Sequence, residues 1–402
     1  MLNVLVIIVA LTVGAYLAFS RRLASSSGWQ ATVTPLASIM GSGFLVSAPL
    51  LAGIVGNLAV FFMAGLLLLA YMIGSVMRFN IRYFEPIETT ELGPTQSVAF
   101  VSRLVLSGAY FISISYYLKL LAAFLLNTAG IDSLLLSNII TSSLLIIICG
   151  VGIWRGLSEL GLVEKYAVAL NLGMIVALLA ALGVFNAQLF LEGRWELPNI
   201  SSSVDWHDAR ILLGLLIVVQ GFEASRYLGD AFSAEQRIAT MRQAQLIAST
   251  IYLIFIALAT VLFHDGLGAD VTAIIGMTEP VALVLPLLLT IAAIGSQFSA
   301  AVADTEGAGG LIEDITARKI QIRYAYVFIL AVTLALTWET DVNAIIAYAS
   351  RAFALYYALQ ACVAFLVVLK NREMERRRGR LIVFAALALI AFMVFAFGIP
   401  AE

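Results

Sequence analysis

The sequence predicts an all-α integral membrane protein of twelve transmembrane helices. Composition, the length of its apolar runs and the placement of its basic residues lead there. Of 402 residues, 62% are hydrophobic and 12% charged, about half the roughly 25% charge of a soluble chain. Such a surface has to face lipid. In hydrocarbon every backbone N–H and C=O needs an internal partner, which leaves only helices and closed barrels. The apolar runs do not alternate with period two, and they are long enough, at about 20 residues, to cross a 30 Å core as helices.

The elements follow in order. An apolar leader at 1–20 carries no basic residue ahead of it, and Arg21 and Arg22 come after it. That order is expected of a retained span with its N-terminus outside, not of a cleaved signal. Eleven further spans are expected at 31–53, 56–78, 97–126, 132–153, 160–185, 209–229, 242–263, 281–312, 322–338, 342–369 and 381–398. With the N-terminus outside, the inner loops hold Arg21/Arg22, Arg78/Arg82, Arg155/Lys165, Arg237/Arg242, Arg318/Lys319/Arg323 and the run from Lys370 to Arg380, seventeen of the 23 basic residues. Only Arg194 and Arg210 fall outside. The positive-inside rule then sets both termini outside a cell membrane, expected to be a bacterial inner membrane.

Several function classes are excluded. There is no basic tract interleaved with aromatics for nucleic acid. No GxxxxGK[ST] loop points to ATP-driven transport, and no HExxH or GxSxG constellation points to an enzyme. Cys149 and Cys362 lie in apolar runs and read as buried small hydrophobes. His207 and His264 sit at span ends with no second ligand at metal spacing, so no metal site or bound cofactor is expected.

Two spans are interrupted in composition. The segment PLASIMGSGFLVSAPLLAG (35–53) places Gly41-Ser42-Gly43 near mid-membrane with Pro49 beyond. Glycine lowers the cost of leaving helical geometry and proline removes a donor. The competing reading is a small-residue face for close helix packing. In the segment 212–237 an apolar stretch turns polar at Gln220-Gly221-Phe222-Glu223. Five spans run from 31 to 185 and five more from 209 to 369. Five is odd, so the second unit is inverted relative to the first, with a break expected early in each. Paired broken helices in inverted repeats point to an alternating-access transporter whose ligand sits at the breaks. The N–H groups freed there suit an anionic group, and freed carbonyls suit a cation.

ASIMGSGFLVSAPLLAGIVG resembles the first core helix of the amino acid–polyamine–organocation (APC) superfamily. GFEASRYLGDAFSAEQRIATMRQA resembles that superfamily's sixth core helix and the amphipathic segment after it. The leader ending in Phe19-Ser20-Arg21-Arg22, and SQFSAAVADTEGAGGLIEDIT (296–316), are similar to the extra N-terminal helix and the eighth core helix of solute–sodium symporters. Both groups imply a LeuT-type 5+5 inverted repeat, here with one added helix at each end. They also imply that Phe222 covers a substrate and that the span bearing Tyr110 faces it. In symporters of this type a sodium ion sits between first-helix carbonyls and eighth-helix hydroxyls. By position these are Ala37 and Met40 with Ser296 or Ser299. Phe298-Ser299-Ala300-Ala301 retains at most one of the usual two adjacent hydroxyls, which leaves sodium, proton or uncoupled exchange open.

Charges inside a span cost roughly 2.5–3.5 kcal/mol each on insertion scales, so each one needs a reason. Glu223, Arg226, Asp304, Glu306 and Arg351 are the candidates for coupling or gating. The alternative is a set of ion pairs that only hold helices in register. Arg103 and Lys119 lie near span ends, where their heads can snorkel. The resulting expectation is a secondary active transporter of a small amino acid, amine or zwitterion. Its substrate residues are Gly41, Ser42, Gly43, Tyr110, Gly221, Phe222 and Glu223, and its partners are the solute and the lipid bilayer. A non-transporting subunit or solute sensor on the same fold is the alternative.

Overall fold

The computed structural model describes residues 2–401 except 91, 158–160, 201–203, 230 and 269. Asp230, which follows the second expected break, falls outside the described residues. Those described form helices and connections without a strand. In chain order the helices are α1 (Leu2–Phe19), α2 (Arg21–Ala24), α3 (Ser27–Val55), α4 (Ala59–Tyr83), α5 (Glu85–Glu88), α6 (Pro94–Thr128), α7 (Leu134–Trp154) and α8 (Gly161–Leu191). There follow α9 (Trp206–Gly214), α10 (Ala234–Ala259), α11 (Ile274–Thr278), α12 (Leu285–Ile315), α13 (Ile322–Glu339), α14 (Val342–Lys370) and α15 (Arg377–Phe397). Among the described residues, ten helical stretches are long and apolar enough to cross a membrane, the stretch Ser27–Tyr83 containing both α3 and α4. The protein is a multi-pass membrane protein.

The helix ends carrying Arg21, Arg22, Arg82, Arg155, Lys165 and Arg318 define one end of the bundle, the basic end. The principal apolar core runs through α3, α6, α12 and α14 and includes Phe44, Ile114, Tyr116, Ala293 and Phe353. α1 docks on α8 through very close backbones: a Cβ at Gly173 would lie 2.8 Å from the Ala10 carbonyl oxygen. Small residues permit this approach, which lets dispersion contacts hold two lipid-facing helices together. At the other terminus α15 lies along α14 and α4, with Phe384 against Phe79 at 4.9 Å between ring centres.

The two expected breaks differ. α3 runs unbroken from Ser27 to Val55 through Gly41, Gly43 and Pro49, so no helix interruption stands at Gly41–Gly43. The glycines serve packing instead. A Cβ on Gly43 would fall 2.7 Å from the Cα of Val218, so α3 and the chain at Val218 touch backbone to backbone. Beside Pro49 the Ser47 hydroxyl donates to the Phe44 carbonyl at 2.7 Å.

The segment 209–229 departs further from a helix than its sequence suggested. Only α9 is α-helical, followed by tighter 3-10 turns at Leu216–Val219 and Phe222–Tyr227. Between them Gln220 is extended and Gly221 is left-handed at φ 115°.

Candidate functional site

The unwound segment persists because its neighbours take up the backbone groups it frees. The Ser350 hydroxyl of α14 accepts from the Ile217 N–H at 2.9 Å. The Tyr252 hydroxyl of α10 reaches the Val218 carbonyl at 2.6 Å and the Ile39 carbonyl of α3 at 3.2 Å. The Gly221 N–H donates to Glu223 Oε2 at 3.0 Å, and the Tyr357 hydroxyl donates to the same oxygen at 2.8 Å. Gly221 is required twice over. Its φ is left-handed, and a Cβ there would stand 2.5 Å from Ser38 Oγ and 2.7 Å from the Ser38 carbonyl carbon. Phe222 is buried and stacks on Tyr357 at 5.4 Å with an interplanar angle of 20°.

A cavity of about 930 Å³ begins at this segment and reaches Leu23, Lys165 and Asp314 at the basic end. Its deeper wall presents Ser38 of α3, Tyr110 of α6, Tyr227 of the second 3-10 turn, and Ser299 and Asp304 of α12. Solvent-accessible Thr34, Ala303 and Gly307 mark its open side. Asp304 accepts a hydrogen bond from the Ser113 hydroxyl of α6. No basic group among the described residues lies within ion-pair distance of it.

The structure gathers some of the sequence-predicted residues and separates others. Ala37, Tyr110, Ser296, Ser299, Asp304 and Glu306 all line the cavity. Met40 is buried away from it, and Gly41 and Gly43 lie inside α3. The Gly41 carbonyl accepts from Gln297 Nε2 at 2.9 Å. The side chain of Ser42 lies outside the described part. Glu223 is 3% exposed and sits behind the wall that Ala224 presents to the cavity. Arg351 points away, donating from Nε to the Phe395 carbonyl of α15 at 2.8 Å with its guanidinium over the Phe395 ring. Lys119 reaches the Thr340 carbonyl at the end of the bundle opposite the basic one.

Arg226 belongs to a buried network at the basic end. Its Nη2 donates to Glu88 at 3.3 Å and its Nη1 to Gln360 Oε1. Beside it, Arg237 grips both oxygens of Glu85 at 2.7 and 3.0 Å and donates to the Arg226 carbonyl at 2.7 Å. Gln360 is itself held by Asn80 at 2.8 Å and Ser102 at 2.7 Å. Bidentate arginine–carboxylate pairing of this kind is the geometry in which buried charge is best compensated. The network pins the lower end of the unwound segment to α4, α5, α6, α10 and α14.

Sequence reasoning had not singled out Glu85, Glu88, Arg237, Ser113 or Tyr357. Three glutamates within seven residues, in a loop otherwise set among basic residues, were a visible anomaly. Ser113 and Tyr357 carried no signal short of the fold itself.

A family model described as APC superfamily transporter matches residues 21–398. A protein of Aquifex aeolicus (strain VF5), described as uncharacterized, is 41% identical over 381 residues, covering 93% of this chain and 91% of its own length. Two solved transporters share the LeuT-type architecture. One is a manganese transporter of Eremococcus coleocola in mutant form, with TM-score 0.58, 11% identity, and coverage of 94% of this chain and 87% of that one. The other is a nucleobase-cation-symport-1 family transporter with bromovinylhydantoin bound in a closed conformation, with TM-score 0.54, 12% identity and 90% of each chain covered. At these identities the two structures speak to the fold alone. The family match across most of the chain, with an unwound segment facing a membrane cavity, makes this protein a member of the APC superfamily of transporters.

Proposed function

We propose that this secondary transporter carries a small organic solute of amino acid or amine type by alternating access, coupled to a cation or a proton. The observation that carries the reading is a cavity running from the unwound segment, at Ala224 and Tyr227, to the basic end of the bundle. On this reading the chain crosses the membrane twelve times, as α1, two five-span units at 31–185 and 209–369 of opposite orientation, and α15. The positive-inside rule puts the basic end in the cytoplasm, so the cavity is the inward-facing one. Alternating access then moves α3, α4, the unwound segment and α10 against the remaining helices, with the Arg226–Arg237 network as part of the moving surface.

Proton coupling or uncoupled exchange is favoured over sodium. In an unbroken α3 the carbonyls of Ala37 and Met40 belong to the helix's own hydrogen-bond ladder. The Ser296 hydroxyl donates to the Ala293 carbonyl at 3.1 Å. Of the four positions expected to hold the ion, only the Ser299 hydroxyl faces the cavity without a hydrogen-bond partner among the described residues.

The test is exchange uptake in proteoliposomes, preloaded with unlabelled solute and measured with a sodium gradient, a pH gradient or neither. A transporter accelerates entry of labelled solute against its own gradient. A solute that stabilises the protein but is never exchanged would assign the chain to the second reading, a sensor on the transporter fold, which the unbroken α3 favours.

A further inference from the structure

We propose that the solute is an organic ammonium ion without a carboxylate, held at Asp304, because Glu223 already fills the anion-binding place at the break. This rests on the transporter reading of the cavity and specifies what the cavity accepts.

The break offers one left-handed glycine whose N–H could receive a substrate carboxylate. That N–H donates to Glu223 Oε2 at 3.0 Å, and the Tyr357 hydroxyl donates to the same oxygen at 2.8 Å. The protein's own carboxylate therefore occupies the position a substrate carboxylate would take. The second such place, at Gly41–Gly43, does not exist: α3 is continuous, and Val218 is packed so tightly on Gly43 that a Cβ would meet its Cα at 2.7 Å. Among the described residues no arginine lines the cavity, and Lys165 is the one basic side chain on its wall, at the mouth.

The remaining wall suits a cation. Asp304, Glu306, Glu313 and Asp314 line the cavity along α12. Among the described residues Asp304 has only the Ser113 hydroxyl as a partner. A carboxylate inside a membrane protein without a counter-charge is costly, and a bound cation supplies one.

Two further groups, independent of the acids, point to a ligand. The hydroxyls of Ser299 and Tyr110 lie in residues 5% and 9% exposed, open onto the cavity, and have no hydrogen-bond partner among the described residues. An ammonium carries several donors, and one carboxylate with two hydroxyl oxygens accepts them. The rings of Tyr110 and Tyr227 on the same wall suit the alkyl and cationic parts of an amine. A hard metal ion fits less well. It needs several converging oxygen ligands, and no group of three or more His, Cys, Asp or Glu positioned for a metal occurs among the described residues.

The experiment uses the full-length protein and solute pairs that differ only in a carboxylate: ethanolamine and serine, putrescine and ornithine, agmatine and arginine. Thermal shift and titration calorimetry at millimolar concentration report binding. At least one amine should bind, with its carboxylated partner at least about tenfold weaker. Asp304→Asn should weaken the amine by about tenfold or more, Asp304→Glu should recover part of the loss, and Glu223→Gln should lose less than Asp304→Asn. Glu223→Ala, which frees the Gly221 N–H, should narrow the gap between the members of a pair. Each variant's melting midpoint without solute reports whether it has folded. The proposal is overturned if a carboxylated partner binds as well as its amine, if no amine in the panel binds the wild type, or if manganese alone gives an Asp304-dependent shift. Its failure is separable from that of the transporter reading: a carboxylated solute that is exchanged sinks only this proposal, whereas an amine that binds at Asp304 and is never exchanged sinks only the transport.

Discussion

α3 and the segment 209–229 carry similar sequence signals and behave in opposite ways. Both place glycine at mid-membrane amid apolar residues, yet α3 stays helical across Gly41 and Gly43 while the other segment leaves the α-helix for its last fifteen residues. The difference lies in what surrounds the backbone. Around Gly221 the side chains of Ser350, Tyr252 and Glu223 each take up a freed main-chain group. Along α3 Gly43 is consumed by contact with Val218, and the side chains that reach its carbonyls, Tyr252 at Ile39 and Gln297 at Gly41, add to a continuous helical ladder instead of replacing it. A membrane helix unwinds where its neighbours can satisfy it, and glycine merely permits this.

The largest effect should come from Gly221→Ala. A left-handed φ and a Cβ within 2.5 Å of Ser38 Oγ together should cost about 4 kcal/mol. Little monodisperse protein should then survive size-exclusion chromatography in detergent; a wild-type melting midpoint would show that the break is not built around this residue. Next comes Arg237→Met, which strands Glu85 without its bidentate partner. Breaking a buried pair from one side costs about 3 kcal/mol, read as a lowered thermal midpoint that Glu85→Gln in the same chain should partly restore.

Within α3 the two glycines separate sharply. Gly43→Ala drives a methyl into Val218 and should cost about 2 kcal/mol. Gly41→Ala meets nothing nearer than 3.9 Å and should be neutral or stabilising by about 0.5 kcal/mol, as alanine in a helix usually is. Equal effects at the two sites would contradict the packing account. Tyr357→Phe removes one of the two donors to Glu223 and should cost about 1 kcal/mol.

The smallest effect belongs to α9, the helical remainder of the broken segment. It opens with Asp205 accepting from the Asp208 N–H at 2.9 Å while Asp208 accepts from the Asp205 N–H at 3.0 Å. The backbone hydrogen bond from Asp208 holds the Asp205 carboxyl below its usual range. A carboxyl lowered in the folded state stabilises above its ordinary value of about 4, and that contribution is lost as pH falls through the lowered one. Asp205 is fully solvent-exposed, so Asp205→Asn should cause a barely measurable destabilisation at pH 7 that vanishes in acid.

Much of the architecture was legible from run lengths and loop charge, because lipid imposes those constraints one residue at a time. The APC resemblance rested on the segments around Gly41 and Gly221, and the family match covers both. Depth and pairing were less legible. Asp304 and Glu306 could be placed within a span, and they line the cavity. Arg351 looked equivalent by depth but faces α15, since a helix has more than one buried side and sequence does not say which side meets which neighbour. Glu223 was visible as a charge at a break; that its oxygen would satisfy the chain's own Gly221 N–H depends on a left-handed turn that composition does not reveal.

One proposal underlies the rest: the cavity below Gly221 is one state of an alternating-access pathway. It is tested most directly by placing a single cysteine at Ala303, in a background lacking Cys149 and Cys362, and labelling oriented vesicles with a membrane-impermeant maleimide from each face. The account predicts rapid labelling from the cytoplasmic face alone, slowed when an exchanging amine is present on both sides. Labelling at equal rates from both faces, indifferent to any solute, would describe a continuous pore and contradict it.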